Sequence, residues 1–484
     1  MNTRNSNSRR HLAVLTMLAI LIANATLLAQ PKKNTENKNK PTGTQKLFQD
    51  GRKAMLTGDY ETAVKLLKQA VDARDAKTSY RLYLARAYRY ADKPQLAEAQ
   101  LKMILKSAPD HVEAGQLLGQ IYAGRKDWKN TVKILEPLLK YRHDYTTYQL
   151  LAEALYNLDE HKKARKYYQE AIKLNPKNAA DHYRLGNIHL AANSFALAAG
   201  SYQKALSLNL DSPVLRYKLG SAYFNLRNYF GKVSVITVKA GKPETIDGNW
   251  YLIEPQPGKK DTFRAAPSNS AIYQVARAIA DGIKDRPDIH FLKANIYLNA
   301  RRYARAYEMF AKIRKTIPKE DKALFFYYYS QAAFGIDKYD EYLQLLGEAI
   351  KLDAAAYEPT LVEAYLKVAG QYNQAGNFTK YIEFLEKAVN ASPQTTSLHL
   401  NLGNAYQEAR QYAKAVLQWR LVLDLEPDHP DRTKLLNLIS KHRRMAKPPS
   451  PTTKPAKPKR PVTKTAVIGP PRPQSRKAVE QAIG

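Results

Sequence analysis

Residues 399–406 read His399-Leu-Asn-Leu402-Gly403-Asn-Ala-Tyr406, and Tyr412, Ala415-x-x-x-Trp419 and Pro427 follow. Thirty-four residues upstream the same grid returns Ala369, Tyr372, Phe378, Tyr381, Leu385, Ala388 and Pro393. A second pair with the same offset runs through Leu151-Ala152, Ala164, Tyr168 and Ala171, then Leu185-Gly186, Ala198, Tyr202 and Ala205. Extended along the chain, the grid starts units near Thr44, Thr78, Val112, Tyr145, Ala179, Pro213, Pro287, Ala323, Val362 and Thr396. The intervals are 34, 34, 33, 34, 34, 74, 36, 39 and 34 residues. Apolar residues recur within each unit at three- and four-residue steps, the signature of two amphipathic helices. A small residue midway along the first helix lets the second approach, and aromatics such as Tyr88, Tyr122, Tyr223, Tyr297 and Tyr406 fill the space between helices. Proline closes a unit because it cannot donate the next backbone hydrogen bond.

The grid resembles the tetratricopeptide repeat family, whose 34-residue helix–turn–helix unit carries a W-x-x-L-G-x-x-Y…A-x-x-x-F…P pattern. The likeness covers about residues 44–445 apart from one insertion. Leu210 departs from it by replacing a terminal proline, and Ser330 by standing at a Gly/Ala position. The resemblance implies an all-α, right-handed superhelical solenoid, about ten repeats long. Stability in such an array is a sum over neighbouring units. It also implies a concave groove, lined by the first helix of each unit, that binds a protein or an extended peptide.

The 74-residue interval exceeds one repeat by 40 residues. Leu219-Gly220-x-x-Tyr223 keeps the first helix, after which the period changes from 3.6 to 2. Val233–Val238 and Trp250–Ile253 read as two strands separated by Gly241, Pro243 and Asp247-Gly248-Asn249. A small β-hairpin over about residues 231–256 is therefore expected within an insertion at 231–270. The run Ser270–Lys284 is expected to be helical and to complete the broken unit. A helix from Asp431 to Arg444 is expected to cap the array. The domain plan is then solenoid at 44–230, insertion at 231–270 and solenoid again at 271–445.

At the N-terminus Arg4, Arg9 and Arg10 precede an apolar run from Leu12 to Ala23, then small residues Ala25 and Ala29 and a polar stretch. This is the layout of a secretory signal peptide at 1–29, cleaved after Ala25 or after Ala29, with a polar linker at 30–43. The expectation is an exported protein, periplasmic, envelope-associated or secreted; the alternative is anchorage by an uncleaved N-terminal helix. Residues 446–484 hold 9 of the 26 prolines, 9 Lys or Arg and one acid, the composition of an extended basic tail.

The chain of 484 residues has 77 Lys and Arg against 44 Asp and Glu, a formal charge of +33. The signal, linker and tail account for +14, which leaves +19 on the solenoid and insertion. Such a balance suits acidic partners, phospholipid head groups or an anionic envelope polymer. Nucleic acid is not expected, because no base-reading module accompanies the charge. The absence of cysteine excludes disulfides, thiolate zinc sites, iron–sulfur clusters and cysteine nucleophiles. No H-E-x-x-H, phosphate-cradling glycine loop or G-x-S-x-G elbow occurs, so neither an enzyme nor a cofactor or metal site is expected. His182, His290 and His399 occupy one repeat position and are expected to be core or groove residues.

On the family pattern, the residue after the small position and those a turn away face the groove. Candidates for peptide contact are Arg52, Arg86, Arg89, Asn187, Asn295, Gln331 and Asn404, together with Tyr183, Tyr217, Phe291 and Tyr327. Amides offer a donor and an acceptor together and suit a peptide backbone. Tyrosines add rigid apolar contact at low entropy cost. The carboxylate-clamp subclass needs Lys and Asn in order over three adjacent units; Arg52, Arg86 and Arg89 supply cations in the first two but no Asn follows in the third, so they suit an acidic segment instead. The oligomeric state is not legible.

Overall fold

The computed structural model describes residues 43–73, 77–238, 245–283 and 286–442. The expected signal peptide and basic tail lie outside them. The fold is all-α, built of antiparallel helix pairs, with a small antiparallel sheet inserted. Its contacts divide the chain into two compact bodies, one ending at Ile296 and the other beginning at Tyr297.

The first body runs through α1 (Gly43–Leu56), α2 (Tyr60–Asp72), α3 (Thr78–Tyr90), α4 (Pro94–Ser107), α5 (Val112–Gly124) and α6 (Trp128–Leu135). It continues with α7 (Tyr145–Asn157), α8 (His161–Leu174), α9 (Ala179–Ala191), α10 (Phe195–Ser207) and α11 (Pro213–Asn225). After the insertion come α12 (Ala271–Ala280) and α13 (Pro287–Asn299), whose last turn enters the second body. The second body holds α14 (Tyr303–Ile313), α15 (Lys322–Phe334), α16 (Tyr339–Leu352), a short α17 (Ala354–Tyr357) and α18 (Leu361–Gln374). It ends with α19 (Phe378–Ala391), α20 (Thr396–Glu408), α21 (Tyr412–Leu425) and α22 (Arg432–His442). Helices therefore begin within a residue of the unit starts read from the grid.

Packing explains the small position. A Cβ on Gly186 would lie 2.6 Å from the Tyr202 ring, and one on Gly403 would lie 2.6 Å from Trp419 Nε1. Tyr202 and Trp419 are completely buried in those gaps. Ser330, the departure at this position, is buried without cost because its hydroxyl donates to the Tyr327 carbonyl at 2.6 Å. His182 and His399 share one core role: the Nε2 of each lies 3.0 and 2.9 Å from the carbonyl of Pro176 and Pro393, six residues earlier. They tie the turn entering the unit to its first helix. Helix starts are capped by side chains such as Asp59, Asp127, Asp144, Ser212 and Asn377, which accept from backbone amides of the first turn.

Between the paired helices one residue adopts left-handed backbone geometry: Gly58, Asp92, Lys126, Asp159, Asn193, Arg227, Arg301, Asp337, Gly376 and Arg410. Their intervals repeat those of the sequence grid, including the 74-residue jump. Each closes the first helix with a bond from the next amide to a carbonyl five residues back, as from Lys93 to Tyr88 at 2.8 Å and from Gln411 to Tyr406 at 2.8 Å.

The insertion is β as expected, but its pairing differs from a two-stranded hairpin. Strands β1 (Ser234–Thr237), β2 (Ile246–Asp247), β3 (Trp250–Pro255) and β4 (Thr262–Pro267) form an antiparallel sheet in the order β1-β4-β3-β2. The two strands read from the sequence, β1 and β3, do not touch. β3 is taken on one edge by β2 across a tight turn at Gly248 and on the other by β4, which leaves β1 the outer edge of β4. In Thr-Phe-Arg-Ala-Ala-Pro only Thr262 and Phe263 favour strand, and two alanines and a proline follow without alternation, so β4 shows as a strand only through its partners. Leu252, Phe263 and Ala265 form the sheet's small core, with Ile236 and Trp250 against it.

The insertion leaves and re-enters at one point. The amides of Ala271 and Ile272 donate to the carbonyls of Asn228 and Tyr229, both at 3.0 Å, and Asn228 Nδ2 donates to the Asn269 carbonyl at 2.7 Å. Helix α12 then packs on α11, with Gly220 against Val275, and so completes the interrupted helix pair. At the C-terminal end α22 buries Leu435 and Ile439, and His442 stacks on Tyr412 at 4.4 Å.

Candidate peptide-binding face

In the first body the first helices of successive pairs present cations and tyrosines together. At its start Arg52 lies 5.0 Å from the Tyr83 ring and 5.7 Å from Phe48. Arg86 lies 5.0 Å from the same Tyr83 ring and pairs with Glu113. Arg89 donates to Gln120 and approaches the Tyr90 ring at 5.6 Å. The three expected arginines are thus gathered around aromatic rings, and Arg86 already holds a carboxylate.

Further along, a ladder appears. Arg184 lies over the ring of Tyr156 at 5.4 Å, Lys218 over Tyr183 at 5.1 Å, and Arg286 over Tyr217 at 5.4 Å. In each rung the cation comes from one helix pair and the ring from the preceding one. A cation over a tyrosine face is worth about 0.5–1 kcal/mol when exposed and about 2 when desolvated. Tyr183, Tyr217, Arg184 and Arg286 are half-buried, and Lys218 and Asn187 form the floor at 3% and 5% exposure. Asn187 Oδ1 accepts from Tyr202 Oη and from Lys218 Nζ, both at 2.9 Å. Its Nδ2 lies near the Tyr156 and Tyr183 hydroxyls without closing a hydrogen bond to either.

Electrostatics at the floor are one-sided. Burial, then Arg184 and Arg286, pull the Lys218 ammonium down to about 7. Burial pushes the phenols of Tyr156 and Tyr183 up, so they stay protonated donors. Arg184 stands 4.0 Å from Glu153, and Arg286 is held by Asp288 through bonds of 3.1 and 2.7 Å. Asn295 and Phe291 lie on α13, the former buried and the latter half-buried.

The second body holds the remaining candidates. Tyr327 stacks on Tyr357 at 5.1 Å, and Gln331 Nε2 lies 3.4 Å from Ser330 Oγ. Asn404 is exposed, with its Oδ1 taking Trp419 Nε1 at 3.3 Å. The Asn187 amide oxygen, which accepts two bonds, is therefore committed inside the protein, whereas the exposed Asn404 oxygen accepts one and keeps a second lone pair for a ligand.

Sequence reasoning named Tyr183, Asn187 and Tyr217 as groove candidates; it did not name Tyr156, Arg184, Lys218 or Arg286. Their signal is the tyrosine–cation alternation between neighbouring units. Among the described residues no group of three His, Asp or Glu is placed to hold a metal, and no helix is long and apolar enough to cross a membrane.

The family model described as tetratricopeptide repeat matches residues 51–111, 150–213 and 183–229. Cell division cycle protein 27 homolog A of Arabidopsis thaliana is 32% identical over 108 residues, 22% of this chain and 14% of that protein. Tetratricopeptide repeat protein 21B of Xenopus laevis is 27% identical over 158 residues, 32% of this chain and 12% of that protein. The human protein O-mannosyl-transferase TMTC1 is 25% identical over 172 residues, 34% and 19% respectively. The chain thus spans between 12% and 19% of the length of these relatives. Among solved structures, MamA (residues 41 to the end) from Desulfovibrio magneticus RS-1 is 22% identical, with a TM-score of 0.33, over 36% of this chain and 99% of that one.

Proposed function

We propose that this tetratricopeptide repeat protein is an exported, non-enzymatic scaffold that holds an extended, acidic segment of a partner protein against its first-helix face. The observation that carries the proposal is the ladder of Tyr156, Tyr183 and Tyr217, each overlain by a cation of the next helix pair. Such a surface offers flat apolar contact and positive charge at a regular spacing, which suits an extended chain rather than a small molecule. Hydroxyls held protonated and amide donors serve a peptide's carbonyls and carboxylates. The transferase named among the relatives is matched over 19% of its length.

The test is affinity capture from envelope extract with the mature protein, at low and then high salt. The double variant Tyr183→Ala/Tyr217→Ala removes two half-buried rings, one of them the ring that Lys218 overlies. A discrete protein retained by wild type at high salt and lost by the variant is the expected result. Equal retention by both would remove this face from the account.

A second reading rests on the +33 formal charge: electrostatic binding of an anionic envelope polymer. Multivalent charge binding falls steeply as salt screens it. Complete elution with rising salt, and loss on deleting residues 446–484, would favour this reading.

A further inference from the structure

Two buried cations on one helix are treated differently. Arg216, on α11, is clamped by Asp211 through bonds of 2.7 and 2.6 Å and donates to Gln274 at 3.1 Å. Lys218, two residues on, is more deeply buried, and no carboxylate lies within 4.0 Å of it among the described residues. Its ammonium meets one oxygen, Asn187 Oδ1, and one ring face. Burying a cation with so little to meet it is unfavourable, and proteins ordinarily pair it.

We infer that Lys218, Asn187, Arg184 and Arg286 form a binding site for an oxyanion, a carboxylate or phosphoryl group, carried by the segment that the face holds. This rests on the reading of that face as a peptide site and specifies its chemistry. Two guanidiniums act through space on the Lys218 ammonium, Arg184 from α9 and Arg286 from the entry to α13. Arg184 and Arg286 have side chains 35% and 31% exposed. Asn187 Nδ2, buried and without a hydrogen bond, adds a donor at the floor. An oxyanion has the lone pairs to take Lys218 Nζ, Asn187 Nδ2 and a guanidinium at once.

The site also has a sign with pH. The titratable and charged groups around Lys218 are Tyr183 and Arg184 from α9, Tyr202 from α10 and Arg286, with Glu153 and Asp288 bound to the two arginines. With the lysine titrating near 7, an anion binds the protonated form and draws in a proton above that pH. Affinity then falls by up to about tenfold per pH unit from 7 upward.

The experiment follows the lysine itself. In full-length protein labelled at lysine ε-carbons, Lys218→Met identifies the Lys218 resonance. The probes are sodium acetate and inorganic phosphate, against chloride at equal ionic strength. The expected result is a midpoint near 7 in chloride, raised saturably by one unit or more by acetate, by phosphate or by both. Acetate alone marks a carboxylate site and phosphate alone a phosphoryl site. Arg184→Gln, a substitution at a half-exposed residue, is expected to weaken that effect several-fold while leaving the fold intact. Equal midpoints in all three salts, or a midpoint near 10 in chloride, would overturn the inference. Partner capture separates the two proposals. Should Lys218→Met retain the partner while the tyrosine double variant loses it, the face stands and the anion site falls. Should the anion titration succeed while the double variant retains the partner, the site stands and the peptide face falls.

Discussion

Lys218 is the residue whose environment makes the sharpest prediction. In the unfolded chain it titrates near 10.5, and in the folded protein near 7. Between those values the unfolded state carries the extra proton, so stability rises with pH across that window. Below 7 both states are protonated and the cost of burying the charge is fully present. Lys218→Met, similar in length and without charge, removes this dependence. Urea unfolding at pH 6, 7, 8 and 9 is expected to show the variant more stable than wild type, with the gap greatest at pH 6. The gap narrows above 7, by at most about 1.4 kcal/mol per pH unit. A constant gap would show that Lys218 is not a depressed lysine. The sequence did not disclose this residue because a lysine six positions into a first helix carries no mark of its depth. Burial arises only once Tyr183, Asn187 and Tyr202 close over it. Asn187 was legible because it directly follows the small position Gly186, which the repeat grid fixes.

The turn between paired helices is the element that sequence patterning described least. Arg301 and Arg410 stand in left-handed backbone, with φ of 58° in both, where an L side chain costs about 1–2 kcal/mol. Both are exposed, so the space around them does not demand the arginine. Arg301→Gly and Arg410→Gly are expected to raise stability by about 0.5–1 kcal/mol each, read as an upward shift in thermal midpoint. Gly376→Ala, at a φ of 71°, should lower it by a similar amount. The spacing of the grid recurs in these turns, although it named only the unit starts. It could not show their geometry, since arginine, lysine and aspartate fill positions that glycine or asparagine would have flagged. Strand β4 escaped for a related reason, its alanines and proline carrying no β signal of their own. The insertion makes a further test. Its ends are joined by the Asn228–Ala271 and Tyr229–Ile272 backbone bonds. Replacing residues 232–267 by a short glycine-rich link is therefore expected to keep the helical circular dichroism of the α11–α12 pair and a cooperative melt. Loss of helical signal beyond the insertion would show that the sheet is needed to hold α12 in place.

At the scale of the whole molecule, the helix pairs within each body bury their apolar stripes against their neighbours in sequence, so stability is distributed and local. No long-range strand pairing or disulfide ties distant parts of the described chain together, apart from the self-contained sheet. A defect should then spread by contact between neighbours and fade with distance along the chain. Gly186→Leu places a branched side chain where even a Cβ would lie 2.6 Å from the fully buried Tyr202 ring. Overpacking of this kind costs about 1–3 kcal/mol, and more where the ring cannot yield. Hydrogen exchange is expected to quicken in α9 and α10, and less so in α7, α8 and α11, which pack on them in turn. Amides of α18 to α21 should exchange at their wild-type rates. Uniform acceleration along the chain would mean that the array unfolds as one cooperative block. The nearest-neighbour account of its stability would then have to be given up, together with the expectation that substitutions on the ladder leave the remaining helix pairs intact.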